Sequence, residues 1–258
     1  MDPKLKQLNF KTLILSTSDF LMPRVCLCCG RQLLPGERHL CCVCLADMPF
    51  THYEGQVHNP MANMFNSHVS APGYERAAAL FFYTGGYRKI TQALKYGRNF
   101  AAGKWFASLL GEKLAGAGWE ADVVCPVPLH WARRFRRGYN QAEVIGREVA
   151  KALGVPFEPR LPQRARRTTS QTRLSAEERG LNLAGAFRAR SGFASLPGGW
   201  VGKPSARNLH SSYDKPLRIL IIDDVFTTGA TVAACDAALR EAFGPDIRIS
   251  VATLAFAE

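Results

Sequence analysis

The sequence has no long apolar run. None of its stretches approaches the roughly 18 to 20 consecutive apolar residues that a membrane-spanning helix needs, so membrane insertion is not expected. The N-terminal LNFKTLILSTSDFLMP is interrupted by Lys11 and Asp19 and has no small-residue cleavage site, so we expect no signal peptide. We therefore predict a cytoplasmic protein in which residues 1–21 form a short leading helix.

Acidic residues are few beside the basic ones. The chain has 33 Lys and Arg but 21 Asp and Glu, a formal net charge of +12. Residues 131–190 alone hold 14 Lys or Arg against 5 Asp or Glu. Most of this excess is arginine, which binds phosphate in a bidentate manner. Single arginines fit a solvated face, but their clustering indicates a polyanionic partner, either a phosphorylated small molecule or nucleic acid.

Cysteine is concentrated in the segment CLCCGRQLLPGERHLCCVC, which holds six of the eight cysteines. Its two C-x-x-C knuckles have the spacing that lets four thiolates converge on one Zn²⁺. The predicted ligands are Cys26, Cys29, Cys41 and Cys44. A closed shell of four thiolates predicts a structural zinc, and disulfides do not suit a cytoplasmic chain. Cys28 and Cys42 lie inside the knuckles and are predicted to be bystanders, with either able to substitute for a ligand, and His39 is a further alternative to one thiolate.

Apolar strands alternate with amphipathic helices in the rest of the chain. The predicted strands are AALFFYTG at 78–85, ADVVCPVPLH at 121–130, ILII at 219–222 and IRISVATLAF at 247–256. The predicted helices are 87–114 with a break near Gly97, 140–156 and 230–242. This order predicts an α/β fold with a mostly parallel sheet covered on both faces. The Gly-, Pro- and Ser-rich residues 191–216 are predicted to be a long exposed insertion.

Two adjacent carboxylates follow the ILII strand. Asp223 and Asp224 precede Thr227–Thr231, a segment of small and hydroxylated residues that opens a helix. Ligands of open α/β sheets bind at the carboxyl ends of the strands. A small-residue loop at a helix N-terminus offers free backbone amides to a phosphate. Paired acids beside such a loop suit a phosphorylated sugar with vicinal hydroxyls or a bound Mg²⁺.

Two common phosphate-binding motifs are missing from this stretch. No Gly-Lys-Ser/Thr follows the strand, which excludes a Walker loop. There is no G-x-G-x-x-G and the acids precede the loop, which excludes a dinucleotide-binding fingerprint. A helix cap and turn is the remaining structural interpretation, and the complete strand, acid, loop and helix pattern makes it the weaker one.

The sequence DDVFTTGAT resembles the 5-phosphoribosyl 1-diphosphate (PRPP) motif of type I phosphoribosyltransferases. From about Met22 onward the chain resembles the ComF family (competence protein F, GntX-like or amidophosphoribosyltransferase-like). The resemblance also includes LKYGRN, CPVPLHWARRFRRGYNQAEVIG and RTTSQTRLSAEERGLNLAGAF. It implies a type I phosphoribosyltransferase fold preceded by a four-cysteine zinc-finger subdomain. Residues 191–216 are longer than the connection that is usual in the family.

The resemblance also implies a set of site residues. The 5-phosphate would be held by Thr227, Thr228, Gly229, Ala230 and Thr231. Pyrophosphate would be received by Pro126, Val127, Pro128, Leu129 and His130. Asp223 and Asp224 would contact the ribose hydroxyls, directly or through Mg²⁺. A mobile loop at 167–179 would close over the site and exclude water. The expected catalytic residues are Asp223, Asp224, Arg167, Arg173 and Arg179.

Two functions from different classes follow. The first is transfer of a phosphoribosyl group from PRPP to an unidentified nitrogen acceptor, with a family-implied role in competence and DNA uptake. The second is a non-catalytic PRPP- or nucleotide-binding module that binds single-stranded DNA and a helicase or channel partner. The segment RRFRRGYNQ is compatible with either function, since it can contact pyrophosphate or bind a nucleic-acid backbone. The structural alternative is a basic loop that covers Phe135 and Tyr139.

The chain length bounds the domain organisation. A chain of 258 residues fits one large domain, or one medium domain with a small one. We predict a zinc-binding subdomain and linker at 22–73 and a phosphoribosyltransferase-like domain at 74–258. The hood that holds the acceptor would then come from the zinc-bearing part and from residues 74–100, and neither carries a recognisable base-reading set.

Overall fold

The computed structural model describes residues 23–69, 74–97, 99–164, 186–189 and 216–257. Its helices are α1 (Cys42–Ala46), α2 (Pro60–Asn66), α3 (Arg88–Tyr96), α4 (Phe100–Gly116), α5 (Trp131–Arg137), α6 (Gln141–Leu153) and α7 (Ala230–Phe243). Its strands are β1 (Tyr74–Phe82), β2 (Val123–Pro126), β3 (Pro162–Arg164), β4 (Phe187–Ala189), β5 (Arg218–Phe226) and β6 (Arg248–Phe256). The predicted leading helix, the loop at 167–179 and all but the last residue of 191–216 lie outside the described residues.

Four strands form one sheet in the order β1-β6-β5-β2, and each neighbouring pair is parallel. The continuous apolar runs in β2 and β5 are buried, because strands of a parallel sheet are covered on both faces. Strands β3 and β4 form a separate antiparallel pair. The predicted α/β fold with a mostly parallel sheet and flanking helices is confirmed.

Helices α4 and α6 pack against each other and against the sheet. Helix α6 begins where the Asn140 side chain accepts a hydrogen bond from the Ala142 amide at 3.2 Å, and it ends at Gly154, whose φ of 68° is left-handed. Its buried face includes Ile145 and Val149, as the periodicity predicts. These contacts fix the start of α6 beside the end of β2.

The break predicted near Gly97 separates α3 from α4. Helix α3 ends at Tyr96, and Asn99 begins α4 by accepting a hydrogen bond from the Ala102 amide at 3.0 Å. Ile90 and Leu94 are the buried apolar side chains of α3. Lys95 stands in the last turn of α3, one turn after buried Thr91.

Strand bounds differ from those predicted. Strand β1 runs from Tyr74 to Phe82 instead of 78–85, and β5 continues past Ile222 to Phe226. The cause is β6, whose nine residues pair with both neighbours, so that Asp223 lies opposite Thr253 and Phe226 opposite Phe256. The two acids therefore lie within the paired strand. Among the described residues, no helix is long and apolar enough to cross a membrane.

Candidate functional site

The acid pair lies near the carboxyl end of β5, a central strand of the sheet. Side chains alternate along a strand, so Asp223 and Asp224 leave the backbone on opposite sides. The Asp224 amide donates to Asp223 Oδ1 at 2.8 Å, which holds the first carboxylate against the backbone of the second. Asp223 is half-buried and Asp224 is buried. The amide contact thus fixes the Asp223 carboxylate, and both carboxylates have limited access to water.

Lys95 supplies a counter-charge from another part of the chain. Its Nζ lies 3.1 Å from Asp224 Oδ2, and the two side chains are 21% and 13% exposed. Lys95 stands in the last turn of α3, where the helix dipole favours a cation. Helix α3 therefore contributes directly to the site, although LKYGRN received no role from the sequence.

The surroundings of Asp223 change its protonation. Burial raises the pKa of Asp223 to about 7, and the charge of Asp224 adds to that effect. The hydrogen bond from the Asp224 amide and the charges of Lys95 and Arg133 act in the opposite direction. Asp223 is therefore poised to exchange a proton near neutral pH, whereas an ordinary aspartate is ionised there.

The loop after β5 leads into the N-terminus of α7. Thr227 and Thr228 are exposed, and Gly229 occupies the position before the first helical residue with a left-handed φ of 77°. A Cβ on Gly229 would lie 2.7 Å from Phe226 Cζ, so a larger residue would displace the loop. Gly229 supplies no capping side chain, and among the described residues none caps α7 in its place. The first amides of this 14-residue helix are available to an anion.

The loop after β2 begins beside the same strand. The Val127 amide donates to the Ile222 carbonyl at 2.8 Å, one residue before Asp223. Buried Asn140 fixes the loop by donating from Nδ2 to the Val127 carbonyl at 2.9 Å. His130 ends the loop and caps α5, its Nδ1 accepting from the Ala132 amide at 3.2 Å. Residues 126–130, 223–224 and 227–231 therefore meet at one edge of the sheet.

Three expected site residues cannot be placed. Arg167, Arg173 and Arg179 lie outside the described residues. Sequence reasoning missed Lys95 and Asn140, which reach the site from α3 and from the turn before α6. Neither carries a local signal of a role in the site, since a lysine in a last helical turn and an asparagine at a helix start are both common.

The four predicted metal ligands converge. The sulfur atoms of Cys26, Cys29, Cys41 and Cys44 all lie within 4.8 Å of one another, and those of Cys29 and Cys41 are 3.9 Å apart. Zn–S bonds of about 2.3 Å would place tetrahedral sulfurs roughly 3.8 Å apart, so the arrangement fits one such ion. A hydrogen bond from the Cys44 amide lowers the pKa of Cys41 to about 6, whereas burial raises the pKa of Cys44.

The other candidate ligands lie outside this group. Cys42 is exposed, and His39 packs its ring against Trp105 with centroids 5.8 Å apart. Buried Cys28 is not one of the four converging sulfurs, although its thiol interacts with that of Cys44, and on its other side it packs against Gly86. The prediction that the knuckle interiors are bystanders agrees with this placement.

The cysteine knuckles are docked on the segment that leads into α3. Tyr87 donates from its hydroxyl to the Cys44 carbonyl at 3.0 Å, and Lys89 Nζ donates to the Cys28 carbonyl at 3.0 Å. Gly86 packs directly against Cys28. The same helix carries Lys95 at its other end, so the knuckles and the acid pair are joined through α3.

The arginine-rich segment forms helix α5 at the edge of this region. Phe135 is 90% exposed, with Arg133, Arg134 and Arg136 exposed around it. Tyr139 instead packs edge-on against Phe100 with ring centroids 4.5 Å apart. The structural interpretation of the segment therefore holds for Tyr139, but Phe135 is not covered by the described residues.

Comparisons with known proteins were made for the whole chain. No family model matches it. Competence protein F of Haemophilus influenzae is 24% identical over 233 residues, covering 87% of this chain and 94% of that protein. The DNA utilization protein YhgH of Salmonella typhi is 30% identical over 167 residues, covering 63% of this chain and 64% of that protein. Competence protein ComFC of Streptococcus pneumoniae is 29% identical over 66% of this chain and 64% of that protein.

Solved structures add only a distant likeness. The chain resembles an adenine phosphoribosyltransferase from Leishmania donovani with a TM-score of 0.32 and 16% identity, over 75% of this chain and 67% of that one. The fold assignment therefore rests on the parallel sheet and the cysteine cluster described above. The likeness to the Haemophilus protein extends over nearly the whole of both chains. The chain is therefore similar to curated competence and DNA utilization proteins.

Proposed function

We propose that this chain binds PRPP and transfers its phosphoribosyl group to a nitrogen acceptor with release of pyrophosphate. The observation that carries the proposal is the meeting of one strand end and two loops at one sheet edge: the acids of β5, the Gly229 loop before α7 and the loop after β2. The acids offer hydrogen-bond acceptors to sugar hydroxyls, the Gly229 loop offers backbone amides to one anion, and the loop after β2 offers a place for a second anion. A ribose that carries a phosphate at one end and a diphosphate at the other matches all three.

Each part has a role in this proposal. Residues 227–231 hold the 5-phosphate through backbone amides and threonine hydroxyls. Asp223 and Asp224 accept hydrogen bonds from the ribose hydroxyls. Carboxylate oxygens are ligands that Mg²⁺ prefers, so the same pair could hold this ion, which neutralises charge on a pyrophosphate leaving group. Residues 126–130 receive the pyrophosphate.

The proposed transfer exchanges one bond at the anomeric carbon. The C1–O bond to the diphosphate breaks with its electron pair leaving on oxygen, and the acceptor nitrogen forms the new C1–N bond. The acceptor nitrogen then loses its proton to water or a nearby base. Arg167, Arg173 and Arg179 would stabilise the charge on the leaving group and exclude water from the reacting carbon.

Calorimetry with PRPP and Mg²⁺ tests the pocket. We expect the double variant Asp223→Ala, Asp224→Ala to lose affinity on the order of a hundredfold, because the ribose loses both acceptors. Asp246→Ala is the matched control, since this exposed acid precedes β6 at the opposite edge of the sheet. Equal affinity in the double variant and the control would refute the site.

Turnover requires its own experiment. Pyrophosphate release from PRPP should depend on one of a panel of added nitrogen bases and should disappear in the double variant. PRPP binding without release across the panel would support a non-catalytic binding module instead. The acceptor is identified by the base that gives release.

A second candidate function is supported by Phe135. An exposed aromatic ring among arginines offers base stacking beside phosphate contacts, as in proteins that bind single-stranded nucleic acid. We propose single-stranded DNA as the ligand of this face, with a role in competence and DNA uptake like that named for the relatives, and the cysteine knuckles as the contact for a helicase or channel partner.

Salt-dependent binding of single strands tests this face. Phe135→Ala should weaken binding roughly 5- to 100-fold without changing its salt dependence, because stacking is uncharged. Arg136→Gln should instead reduce the slope of log affinity against log salt by about one. Identical behaviour of both variants and the wild type would exclude α5 as the nucleic-acid surface.

We also propose that the four-cysteine cluster binds one structural zinc. The closed set of four sulfurs leaves no position for a reacting water. Such an ion would stabilise a segment whose short helix α1 and turns bury few apolar residues.

A further inference from the structure

We propose that Lys95 binds the diphosphate of PRPP. This inference rests on the proposed PRPP site and adds to it a residue from outside the strand, loops and helix that the sequence motif identifies. Lys95 pairs with Asp224 in the structure, and it would turn from that carboxylate to the diphosphate when the ribose hydroxyls engage the acids.

The position of Lys95 is the first step of the argument. Its ammonium lies 3.1 Å from Asp224 Oδ2, while the apolar contacts of the buried face of α3 come from Ile90 and Leu94. Partly buried ion pairs are weak stabilising devices, since desolvation offsets much of their attraction. The pair is therefore better explained by the site at which it lies than by the stability of the fold.

The charge of the site is the second step. Asp223 and Asp224 would repel a sugar that carries a phosphate and a diphosphate, and two carboxylates in a poorly hydrated position strengthen that repulsion. Lys95 reduces the negative charge, and its influence extends to Asp223. A cation at this position therefore lowers the repulsion that an anionic ligand meets at the acids.

The chemistry of the ligand is the third step. In PRPP the carbon that carries the diphosphate is bonded directly to a carbon that carries a ribose hydroxyl. A cation beside the carboxylate that accepts this hydroxyl is therefore close to the diphosphate oxygens. A lysine side chain has a flexible four-carbon stem and three N–H donors, so its ammonium can move from Asp224 to the diphosphate while its backbone stays in α3.

Ribose 5-phosphate is the probe that separates this role from a structural one. It has the phosphate and the hydroxyls of PRPP but no diphosphate. We expect Lys95→Gln to weaken PRPP binding on the order of tenfold to a hundredfold and ribose 5-phosphate binding less than threefold, measured by calorimetry with Mg²⁺. Lys95→Arg should recover most of the PRPP affinity, because it keeps the charge.

Lys151→Gln is the control, since it removes an equal charge from an exposed position at the far end of α6. Equal losses for both ligands in Lys95→Gln, or no loss for either, would overturn the inference and leave the PRPP site standing. A wild-type protein that binds neither sugar phosphate would overturn the proposed function and this inference with it. Thermal unfolding of each variant shows whether a loss comes from misfolding.

Discussion

Gly229 is the residue at which backbone geometry and the proposed phosphate site coincide. Its φ of 77° is costly for a residue with a side chain, and an added Cβ would lie 2.7 Å from Phe226 Cζ. We expect Gly229→Ala to lower the free energy of unfolding by about 1–3 kcal/mol and to abolish detectable PRPP binding. Urea unfolding and calorimetry measure the two effects.

Gly116→Ala provides the comparison, because nothing lies within 4 Å of a Cβ at this position at the end of α4. It should retain both stability and PRPP binding. A Gly229→Ala protein with wild-type affinity would mean that the N-terminus of α7 does not hold the phosphate.

Asp223 should make stability depend on pH. Its folded-state pKa of about 7 lies above the ordinary value of 3.8, so between these values the folded state holds a proton that the unfolded state has released. The contribution of Asp223 to the free energy of unfolding therefore falls as the pH rises from about 4 to about 7. Above pH 7 the folded protein carries the full cost of this charge.

Asp223→Asn removes that cost. At pH 8.5, without added Mg²⁺, we expect the variant to exceed the wild type in free energy of unfolding by about 1–2 kcal/mol, a value reduced for partial solvent access. The difference should shrink towards pH 4. Asp246→Asn, at an exposed acid, should show no such trend, and a pH-independent gain in Asp223→Asn would refute the assignment.

Residues adjacent in sequence were the ones that could be predicted. The acids, the small-residue loop and the helix after it form one continuous pattern, as do the four cysteines. Lys95 and Asn140 reach the site through tertiary contacts with Asp224 and Val127, and no spacing rule connects residues so far apart. The fold determines their roles.

At the scale of elements, Asn140 joins the β2 loop to the start of α6. Its side chain accepts from the Ala142 amide and donates to the Val127 carbonyl, so one residue caps a helix and fixes the loop at 126–130. We expect Asn140→Ala to reduce the free energy of unfolding by about 2 kcal/mol, because it leaves a buried carbonyl unpaired. Chemical denaturation measures this loss.

Asn140→Asp is the matched variant for this prediction. Its carboxylate can still cap α6 but cannot donate to Val127, and one of its oxygens would face the Val127 carbonyl oxygen, so the variant should keep the cap and displace the loop. We expect PRPP to lose affinity in Asn140→Asp more than ribose 5-phosphate does, if residues 126–130 receive the diphosphate. Equal losses of affinity for PRPP and for ribose 5-phosphate in Asn140→Asp would show that residues 126–130 do not receive the diphosphate.

Strand lengths could not be predicted because they depend on neighbours. Local composition predicts that β5 ends at Ile222, where the apolar run stops. Pairing with β6 instead continues the strand through both acids to Phe226. Helix bounds were closer, since caps such as Asn140 and Gly154 are local signals. The consequence for the site is that the acids are held by a rigid strand and not by a loop.

At the scale of the whole molecule, helix α3 connects the cysteine knuckles with the acid pair. The knuckles contact Gly86 and Tyr87 just before the helix and Lys89 in its first turn, and Lys95 reaches Asp224 at its end. The sequence predicted the cysteine knuckles and the acid pair but not their connection through α3. Loss of the metal should therefore affect ligand binding as well as stability.

The last prediction tests that connection. A Cβ on Gly86 would lie 2.6 Å from Cys28 Sγ and 2.8 Å from the Cys28 carbonyl oxygen, so Gly86→Ala must shift the knuckles or the start of α3. We expect elemental analysis to show one zinc per chain in the wild type and in Gly86→Ala, and PRPP affinity to fall about threefold to tenfold in the variant.

Cys44→Ser should lose the metal and should lose more PRPP affinity than Gly86→Ala does. Hydrogen exchange in α3 should rise in both variants if the knuckles hold this helix. Unchanged exchange with unchanged affinity would show that α3 keeps Lys95 in place without the metal.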